Sequence, residues 1–351
     1  MELKRMSLDC CAKFLKDVAR RQSNNQWPPP GLFPHQLIVW KRCGDPIPSH
    51  HSIDVCYVDE TIDGASSSTP TPEVTTVLAL HGAPGSHTTY RALLQQLQKG
   101  HRPNIRLIVP NFPDNGWSED RGKTFKHTNS ERAEFIVDFL QKLDVEKVDL
   151  VIGHSAGCYP IYSLATEQPN LIDNVLLVNP GGITPHKMIR PYWLTCLLAR
   201  LHESLWFRWL ICGLLWLQDR LVMRTGQKSF SSMASSLLTV ARTGLDQIRI
   251  MVDQLALSSQ PSISVLCGQR DNFVEEAKSR ELMQLLAIDE PLAIKSNDTE
   301  DEELFVQQAL TAITSGGKCG AILDKDGHVI PKSQSELLAK LVSAVAEAKN
   351  R

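Results

Sequence analysis

The sequence has no surplus of charge of either sign. Its 351 residues include 37 Lys and Arg and 39 Asp and Glu, which give a formal net charge of −2 at pH 7. Proteins that bind DNA or RNA usually present a basic patch to the phosphates. We therefore expect no nucleic-acid partner.

Paired cysteines are also missing. The nine cysteines are an odd number without metal-type spacing, which argues against a disulfide framework and against a zinc site. The start of the chain lacks the basic segment, apolar run and cleavage site of a secretory signal. These features favour reduced thiols and a cytoplasmic location. Nothing in the pattern requires a metal or an organic cofactor.

No apolar run is long enough to cross a bilayer. The longest one surrounds Arg208 and falls short of the roughly 20 residues that a membrane-spanning helix needs. Residues 1–34 are interpreted as a helix followed by a Pro-rich connector. Acidic residues interrupt the basic face of that helix, so we expect it to pack on the body or stay free rather than act as a transit peptide.

Short aliphatic and β-branched runs alternate with helical patterns along most of the chain. Such alternation predicts an α/β fold with a mostly parallel central sheet flanked by helices. The predicted strands are 35–41, 53–59, 75–80, 105–109, 148–152, 174–178, 262–267 and 318–323. Helices are predicted at 88–98, from Thr128, whose pairing with Glu131 fits a capping box, and at 333–349. The acidic stretch within 289–315 is interpreted as a solvated loop.

The alternation stops between residues 184 and 258, where the pattern is helical throughout. We interpret this segment as a helical cap inserted into an α/β core formed by residues 35–183 and 259–351. The core strands resume after the insertion, which favours one large unit over two separate domains.

The residues Gly153, Ser155 and Gly157 form a G-x-S-x-G motif between a predicted strand and a helical stretch. This is the setting in which the motif presents a nucleophilic serine on a tight turn, where small neighbours avoid collisions. Pro160 removes a backbone donor just beyond the turn, so the following helix is expected to begin late or to be distorted. A chance Gly and Ser turn is the alternative.

A serine needs a base within hydrogen-bond reach, and the base needs an orienting carboxylate. Asp271 and His328 each follow a predicted strand, which places them at the carboxyl edge of the sheet with Ser155. The order Ser, Asp, His is the one expected for this arrangement. A plain loop acid and a surface histidine remain the alternatives. His154 is expected to support the turn rather than to act as the base.

Negative charge that develops on an attacked carbonyl oxygen requires fixed backbone donors. The N–H of Ala156 at the start of the helix and the N–H of Ala83 in the sharp turn after Gly82 are the candidates for this oxyanion hole. An ordinary tight turn is the alternative for Ala83.

These motifs resemble the α/β-hydrolase superfamily, in particular the cap-bearing branch that includes epoxide hydrolases and dehalogenases. The matching stretches are 77–85 (VLALHGAPG), 108–118 (IVPNFPDNGWS), 151–157 (VIGHSAG), 267–271 (CGQRD) and 326–331 (DGHVIP). The resemblance implies an α/β-hydrolase fold, a Ser155, His328 and Asp271 triad, and a cis bond before Pro84. Epoxide hydrolases and dehalogenases carry an aspartate where this chain has Ser155, so their chemistry is not expected.

The cap is rich in tryptophan and leucine. We interpret Trp193, Trp206 and Trp209 as binding an apolar acyl substrate, or as a surface that makes peripheral contact with a membrane. Packing of the cap on the core is the plainer alternative.

The residues together favour a serine hydrolase that cleaves an ester or thioester through an acyl-enzyme. A peptidase resembling proline iminopeptidases, suggested by residues 81–85 (HGAPG), is one alternative. A non-catalytic binding or scaffold protein on the same fold is the other.

Overall fold

Most strands of the central sheet lie within two residues of the aliphatic runs that predict them. The computed structural model describes residues 36–41, 50–62, 73–99, 104–116, 118–120, 125–204, 206–218, 220–221, 230–295 and 298–350. The helix and connector expected within residues 1–34 lie outside the described residues. The strands are β1 (Gln36–Lys41), β2 (His50–Val55), β3 (Tyr57–Ile62), β4 (Thr75–Leu80), β5 (Ile105–Pro110), β6 (Glu119–Asp120), β7 (Leu150–His154), β8 (Asn174–Val178), β9 (Ser262–Gly268), β10 (Leu292–Ile294) and β11 (Lys318–Leu323).

Eight of these strands form the central sheet, in the order β10-β11-β9-β8-β7-β4-β5-β3. The pairs are parallel except at one edge, where β3 runs antiparallel to β5. The predicted α/β-hydrolase fold is confirmed. Because parallel strands end at the same edge, the loops after β4, β7, β9 and β11 converge there.

One predicted strand, 53–59, is wrong. The structure has two strands there, β2 and β3, and Cys56 lies between them. The Cys56 N–H donates to Ser118 Oγ at 2.9 Å, and its carbonyl accepts the N–H of Asn111 at 3.0 Å. These bonds occupy the backbone of Cys56 at the point where the chain changes sheets. β2 then pairs with β1 and β6 in a small antiparallel sheet, while β3 joins the central one.

Helices cover both faces of the central sheet. They are α1 (Arg91–Lys99), α2 (Asn129–Lys142), α3 (Tyr159–Glu167), α4 (Tyr192–Glu203), α5 (Arg208–Gln218), α6 (Phe230–Ala241), α7 (Leu245–Leu257), α8 (Glu276–Leu285), α9 (Thr299–Ser315), α10 (Ile330–Ser333) and α11 (Ser335–Lys349). Short 3₁₀ turns occupy His87–Tyr90, Ser155–Cys158 and Lys187–Ile189.

Two helices begin where the sequence pattern predicts. α2 begins after Thr128 with the capping box that this residue forms with Glu131. After the Ser155 turn, α3 begins at Tyr159 and holds Pro160 in its first turn, where a missing N–H costs nothing because that N–H has no helical partner. The late start expected from Pro160 is confirmed.

The acidic stretch within 289–315 is a helix for most of its length, so the predicted loop is wrong. Asp298 caps α9 by accepting the N–H groups of Glu300 and Asp301 at 3.1 and 3.3 Å. Carboxylates in the first turn of a helix are stabilised by the positive end of its dipole. The same charges that suggest solvation in the sequence therefore mark the beginning of a helix.

Two apolar clusters lie on the two faces of the sheet. One includes Phe135 and Phe139 of α2, and the other includes Leu338 and Val342 of α11. All four side chains are fully buried. Burial of each large side chain in this way stabilises the fold by about 1.5–3 kcal/mol. The sheet whose carboxyl edge carries the loops is therefore well stabilised on both faces.

Among the described residues, the segment 184–258 contains helices and no strand. α4, α5 and α6 pack on one another around Ala199, Ile211 and Leu237. α7 instead packs against α3 and places Ile248 and Val252 in the core beneath the sheet. This last helix of the segment thus belongs to the layer that covers the sheet. Within the part of the chain described, no helix is both long and apolar enough to cross a membrane.

Candidate active site

Ser155 follows β7 immediately and has a φ of +54°. A non-glycine residue is strained in this region of backbone space, and such strain is stored where the surrounding structure demands it. The end of β4 passes so close that a Cβ added at Gly157 would lie 2.4 Å from the Leu80 carbonyl oxygen. Glycine is thus required there, and the turn lifts the Ser155 side chain clear of the strand.

The structure brings Ser155, His328 and Asp271 together. The Ser155 hydroxyl lies 3.0 Å from His328 Nε2, to which it can donate, and His328 Nδ1–H donates to Asp271 Oδ2 at 2.7 Å. Asp271 and His328 follow β9 and β11, which are paired up to Gly268 and Leu323. The stretch between Asp271 and His328 forms α8, β10, α9 and β11.

The environment of Asp271 holds its carboxyl group in the ionised form. The side chain is 2% exposed, and Oδ1 accepts the N–H groups of Phe273 and Val274 at 2.7 and 3.0 Å. Burial acts to raise the pKa of Asp271, but the bond and charge of His328 and the two backbone bonds outweigh it, so the pKa lies below its ordinary value. An ionised Asp271 keeps the proton of a neutral His328 on Nδ1, which leaves Nε2 free to accept.

Two further side chains hold the backbone of His328. Asn179, directly after β8, donates to the carbonyl oxygens of Gly327 and His328 at 2.8 and 2.9 Å, while its Oδ1 accepts the N–H of Gly268 at 2.8 Å. His154 Nε2–H donates to the same His328 carbonyl at 2.8 Å. Burial lowers the pKa of His154 to about 3, so this ring is neutral at pH 7.

An aromatic ring lies against the imidazole of His328. Phe273 stacks on it with a centroid distance of 4.6 Å and an interplanar angle of 25°. The Phe273 carbonyl accepts a hydrogen bond from His186 Nδ1–H at 3.0 Å. Neither Phe273 nor Asn179 is marked by the sequence pattern. Their positions just after β9 and β8 are the only signal that could have indicated them.

The loop after β4 lies against Ser155. A Cβ added at Gly82 would approach Ser155 Cβ to 2.9 Å, so the neighbouring Ala83 is held beside the serine. The bond between Ala83 and Pro84 is cis, as the resemblance implies. His81 fixes the loop by donating from Nδ1 to the Gly82 carbonyl at 2.7 Å.

Ala156 is buried directly after the serine, and a positive charge is fixed close to it. Arg132 Nη1 donates to the Ala156 carbonyl at 3.1 Å, and its guanidinium lies 3.9 Å from the centroid of the Phe112 ring. Burial lowers the pKa of Arg132 to about 9, which still leaves the group cationic at pH 7. A cation here raises the electrostatic potential at the 3₁₀ turn Ser155–Cys158.

The three cap tryptophans predicted to bind substrate lie at the surface. Trp193, Trp206 and Trp209 are 67%, 91% and 65% exposed. Side chains that line an enclosed acyl pocket would be far less exposed. The structure therefore does not bring these rings together with Ser155, His328 and Asp271. No set of three or more His, Cys, Asp or Glu side chains in the described ranges is grouped to hold a metal ion.

Curated relatives match part of the chain. A protein named "Uncharacterized hydrolase YugF" from Bacillus subtilis (strain 168) is 29% identical over 125 residues, which cover 35% of this chain and 44% of that protein. An uncharacterized protein of Mycobacterium tuberculosis is 29% identical over 111 residues, or 31% of this chain and 30% of its own. The matched parts thus span less than half the length of these relatives.

Solved structures share the fold over most of the chain. A thermophilic esterase from Thermogutta terrifontis superposes with a TM-score of 0.55 at 14% identity, covering 91% of this chain and 99% of its own. The enol-lactonase from Burkholderia xenovorans LB400 gives a TM-score of 0.52 at 13% identity, covering 82% and 95%. At this identity the likeness shows the fold alone.

The family match is far more extensive than the sequence matches to the two curated relatives. It runs from residue 49 to residue 347. It therefore includes every strand of the central sheet and all three of Ser155, Asp271 and His328. The chain belongs to the family described as "Alpha/beta hydrolase of unknown function (DUF1057)".

Proposed function

We propose that the protein is a serine hydrolase that cleaves an ester or thioester of an apolar acyl group. The observation that carries the proposal is the continuous hydrogen-bonded path from Ser155 Oγ through His328 to Asp271, with distances of 3.0 and 2.7 Å. A nucleophile, a base and an orienting carboxylate in this arrangement suit acyl transfer. The hydrolase fold of the family agrees with it.

In the first half-reaction, Ser155 Oγ attacks the acyl carbon while its proton passes to His328 Nε2. The C=O π electrons move to the oxygen, and the N–H groups of Ala83 and Ala156 are proposed to receive the resulting oxyanion. Asp271 stabilises the imidazolium of His328 through Nδ1–H. Collapse of the tetrahedral species breaks the bond to the alcohol or thiol, which takes the proton from Nε2.

In the second half-reaction, His328 Nε2 takes a proton from water, and the water oxygen attacks the acyl carbon of the ester on Ser155. The bond to Oγ then breaks, the proton returns to Oγ, and the carboxylic acid leaves. Phe273 and Asn179 keep the imidazole in place through both halves, since one holds its ring and the other holds its backbone.

The preference for an apolar acyl group is supported by the composition of α4, α5 and α6, the helices inserted in the chain between β8 and β9. α4, α5 and α6 pack around aliphatic side chains, and α4 and α5 contain one carboxylate, Glu203, which pairs with Arg242. Helices with so much apolar surface suit an acyl chain better than a polar substrate.

The proposal is tested with a fluorophosphonate probe, which reacts with an activated serine. Wild type should be labelled, and Ser155→Ala should not; Ser163→Ala, a buried serine of α3 outside the hydrogen-bonded path, should be labelled like wild type. Equal labelling of wild type and Ser155→Ala would overturn the proposal, as would a wild type that is not labelled at all. A chain-length series of p-nitrophenyl esters, run beside aminoacyl arylamides, then separates an esterase from a peptidase.

A further inference from the structure

α4, α5 and the turn between them carry large apolar side chains that the fold does not bury. We use the name cap face for Trp193, Leu197, Trp206, Trp209, Leu210 and Leu214. Each of them is at least 43% exposed, and Trp206 reaches 91%. Contiguous exposed apolar residues on this scale are uncommon on a free soluble surface and mark sites of interaction.

The cap face is separate from the surface that holds the cap together. On α5, Ile211 and Leu215 face the cluster shared with α4 and α6, whereas Leu210 and Leu214, about 100° round the helix from them, are 59% and 50% exposed. α5 is therefore apolar all round, a pattern expected of a helix that is covered on every side. α4 and α6 cover one part of the α5 surface, and the side chains of Leu210 and Leu214 stay exposed.

The charge around the cap face is positive. Residues 187–221 contain five Lys and Arg and two acidic residues. Of these, Glu203 is paired with Arg242, and Arg190 with Glu275. Arg220 lies over the ring of Trp216, 5.0 Å from its centroid. An occupant of the cap face must accept apolar side chains at the centre and cations around them.

We propose that the cap face docks on the surface of an anionic lipid bilayer. Indole rings prefer the headgroup level, where the ring is buried and the N–H stays hydrated, and nearby Arg side chains gain from the negative surface of the leaflet. A second copy of the chain is the less favourable occupant, because two cap faces would bring arginines of like charge together.

The test is co-sedimentation of the full chain with vesicles of phosphatidylcholine alone or with a minor fraction of phosphatidylserine. The variant Trp206→Ala/Trp209→Ala should lower the bound fraction at least about fivefold, because both rings would lose their burial at the interface. Ile250→Ala/Leu257→Ala is the matched control, since these α7 side chains are also exposed, at 59% and 92%, but lie outside the cap face. It should bind like wild type, and so should Ser155→Ala, because docking does not depend on the reaction.

Phosphatidylserine should raise the bound fraction of wild type, and added salt should lower it again. The proposal is overturned if wild type binds neither vesicle, if both double variants bind equally, or if phosphatidylserine has no effect. Sedimentation velocity without vesicles measures the oligomeric state, and wild type should be monomeric at the concentration used. A dimer that Trp206→Ala/Trp209→Ala dissolves would assign the cap face to a second copy instead.

Discussion

At the scale of single residues, Asp271 is the centre of the proposed site because its two oxygens serve different partners. Oδ2 accepts the His328 Nδ1–H, and Oδ1 accepts two backbone N–H groups of its own loop. The residue thus sets both the tautomer of His328 and the shape of the loop that carries Phe273. Substitutions of this one carboxylate should affect the base more than the fold.

Asp271→Asn should lower kcat for an ester substrate by about 10³–10⁴, because an amide NH₂ facing Nδ1 favours the wrong tautomer of His328. The amide oxygen can still accept the backbone N–H groups, so the loop should keep its form. Ester hydrolysis and a circular dichroism spectrum measure the two effects. Asp289→Asn, at an exposed position, is the control; a similar loss in both variants would contradict the assigned role.

Phe273 should act as a positioning residue through its stack on His328. Phe273→Ala should lower kcat about tenfold with little change in KM for a short ester, since an aromatic pair contributes about 0.5–1.5 kcal/mol. Phe273→Tyr keeps the ring and should stay close to wild type. Steady-state kinetics on both variants decide the matter, and a loss in Tyr as large as that in Ala would count against a role for the stack.

At the scale of elements, the strands that are buried on both faces could be predicted, and the irregular elements could not. β4, β8 and β11 have the bounds that their aliphatic runs predict, because a run buried on both sides needs no partner to be recognised. The division at Cys56 depends on Ser118, 62 positions away along the chain. Such a contact leaves no local periodicity.

The start of α2 offers a direct test of a local signal. Thr128 accepts the N–H of Glu131 at 3.3 Å, and the Glu131 carboxylate accepts the N–H of Thr128. Thr128→Ala should lower the free energy of unfolding by about 1 kcal/mol, whereas Thr128→Ser keeps the acceptor and should change it little. Urea denaturation of the three proteins measures the difference. Equal stability of the Ala and Ser variants would show that the cap does not contribute.

At the scale of the whole molecule, the Ser155, Asp271 and His328 set could be predicted because parallel strands deliver their loops to one edge. The residues that hold His328 in place could not. Asn179 reaches it across 149 positions of the chain and His154 across 174, and only the packed sheet defines which side chains meet there. The exposure of the cap tryptophans could not be predicted from their spacing either. When apolar residues lie all round a helix, the sequence does not indicate which side packs against the rest of the protein.

Three histidines around the site, two of them buried and His186 half-buried, are held in the neutral form. Burial is the main cause in each, and it lowers the pKa of His81 and His154 to about 3 and that of His186 to about 4. In the unfolded chain each would titrate near 6.5. Between that value and the folded one, the unfolded state binds more protons than the native state, so stability falls as the pH falls.

The free energy of unfolding should therefore decrease between pH 7 and pH 5, by about 2 kcal/mol for each of the three histidines. The lowered pKa of Asp271 adds no loss in this window, because its contribution disappears only below about pH 4. His186→Asn removes one of the three groups and keeps a donor for the Phe273 carbonyl. Urea denaturation at both pH values should show a loss smaller by about 2 kcal/mol in that variant, and an unchanged loss would mean that His186 is protonated in the native state.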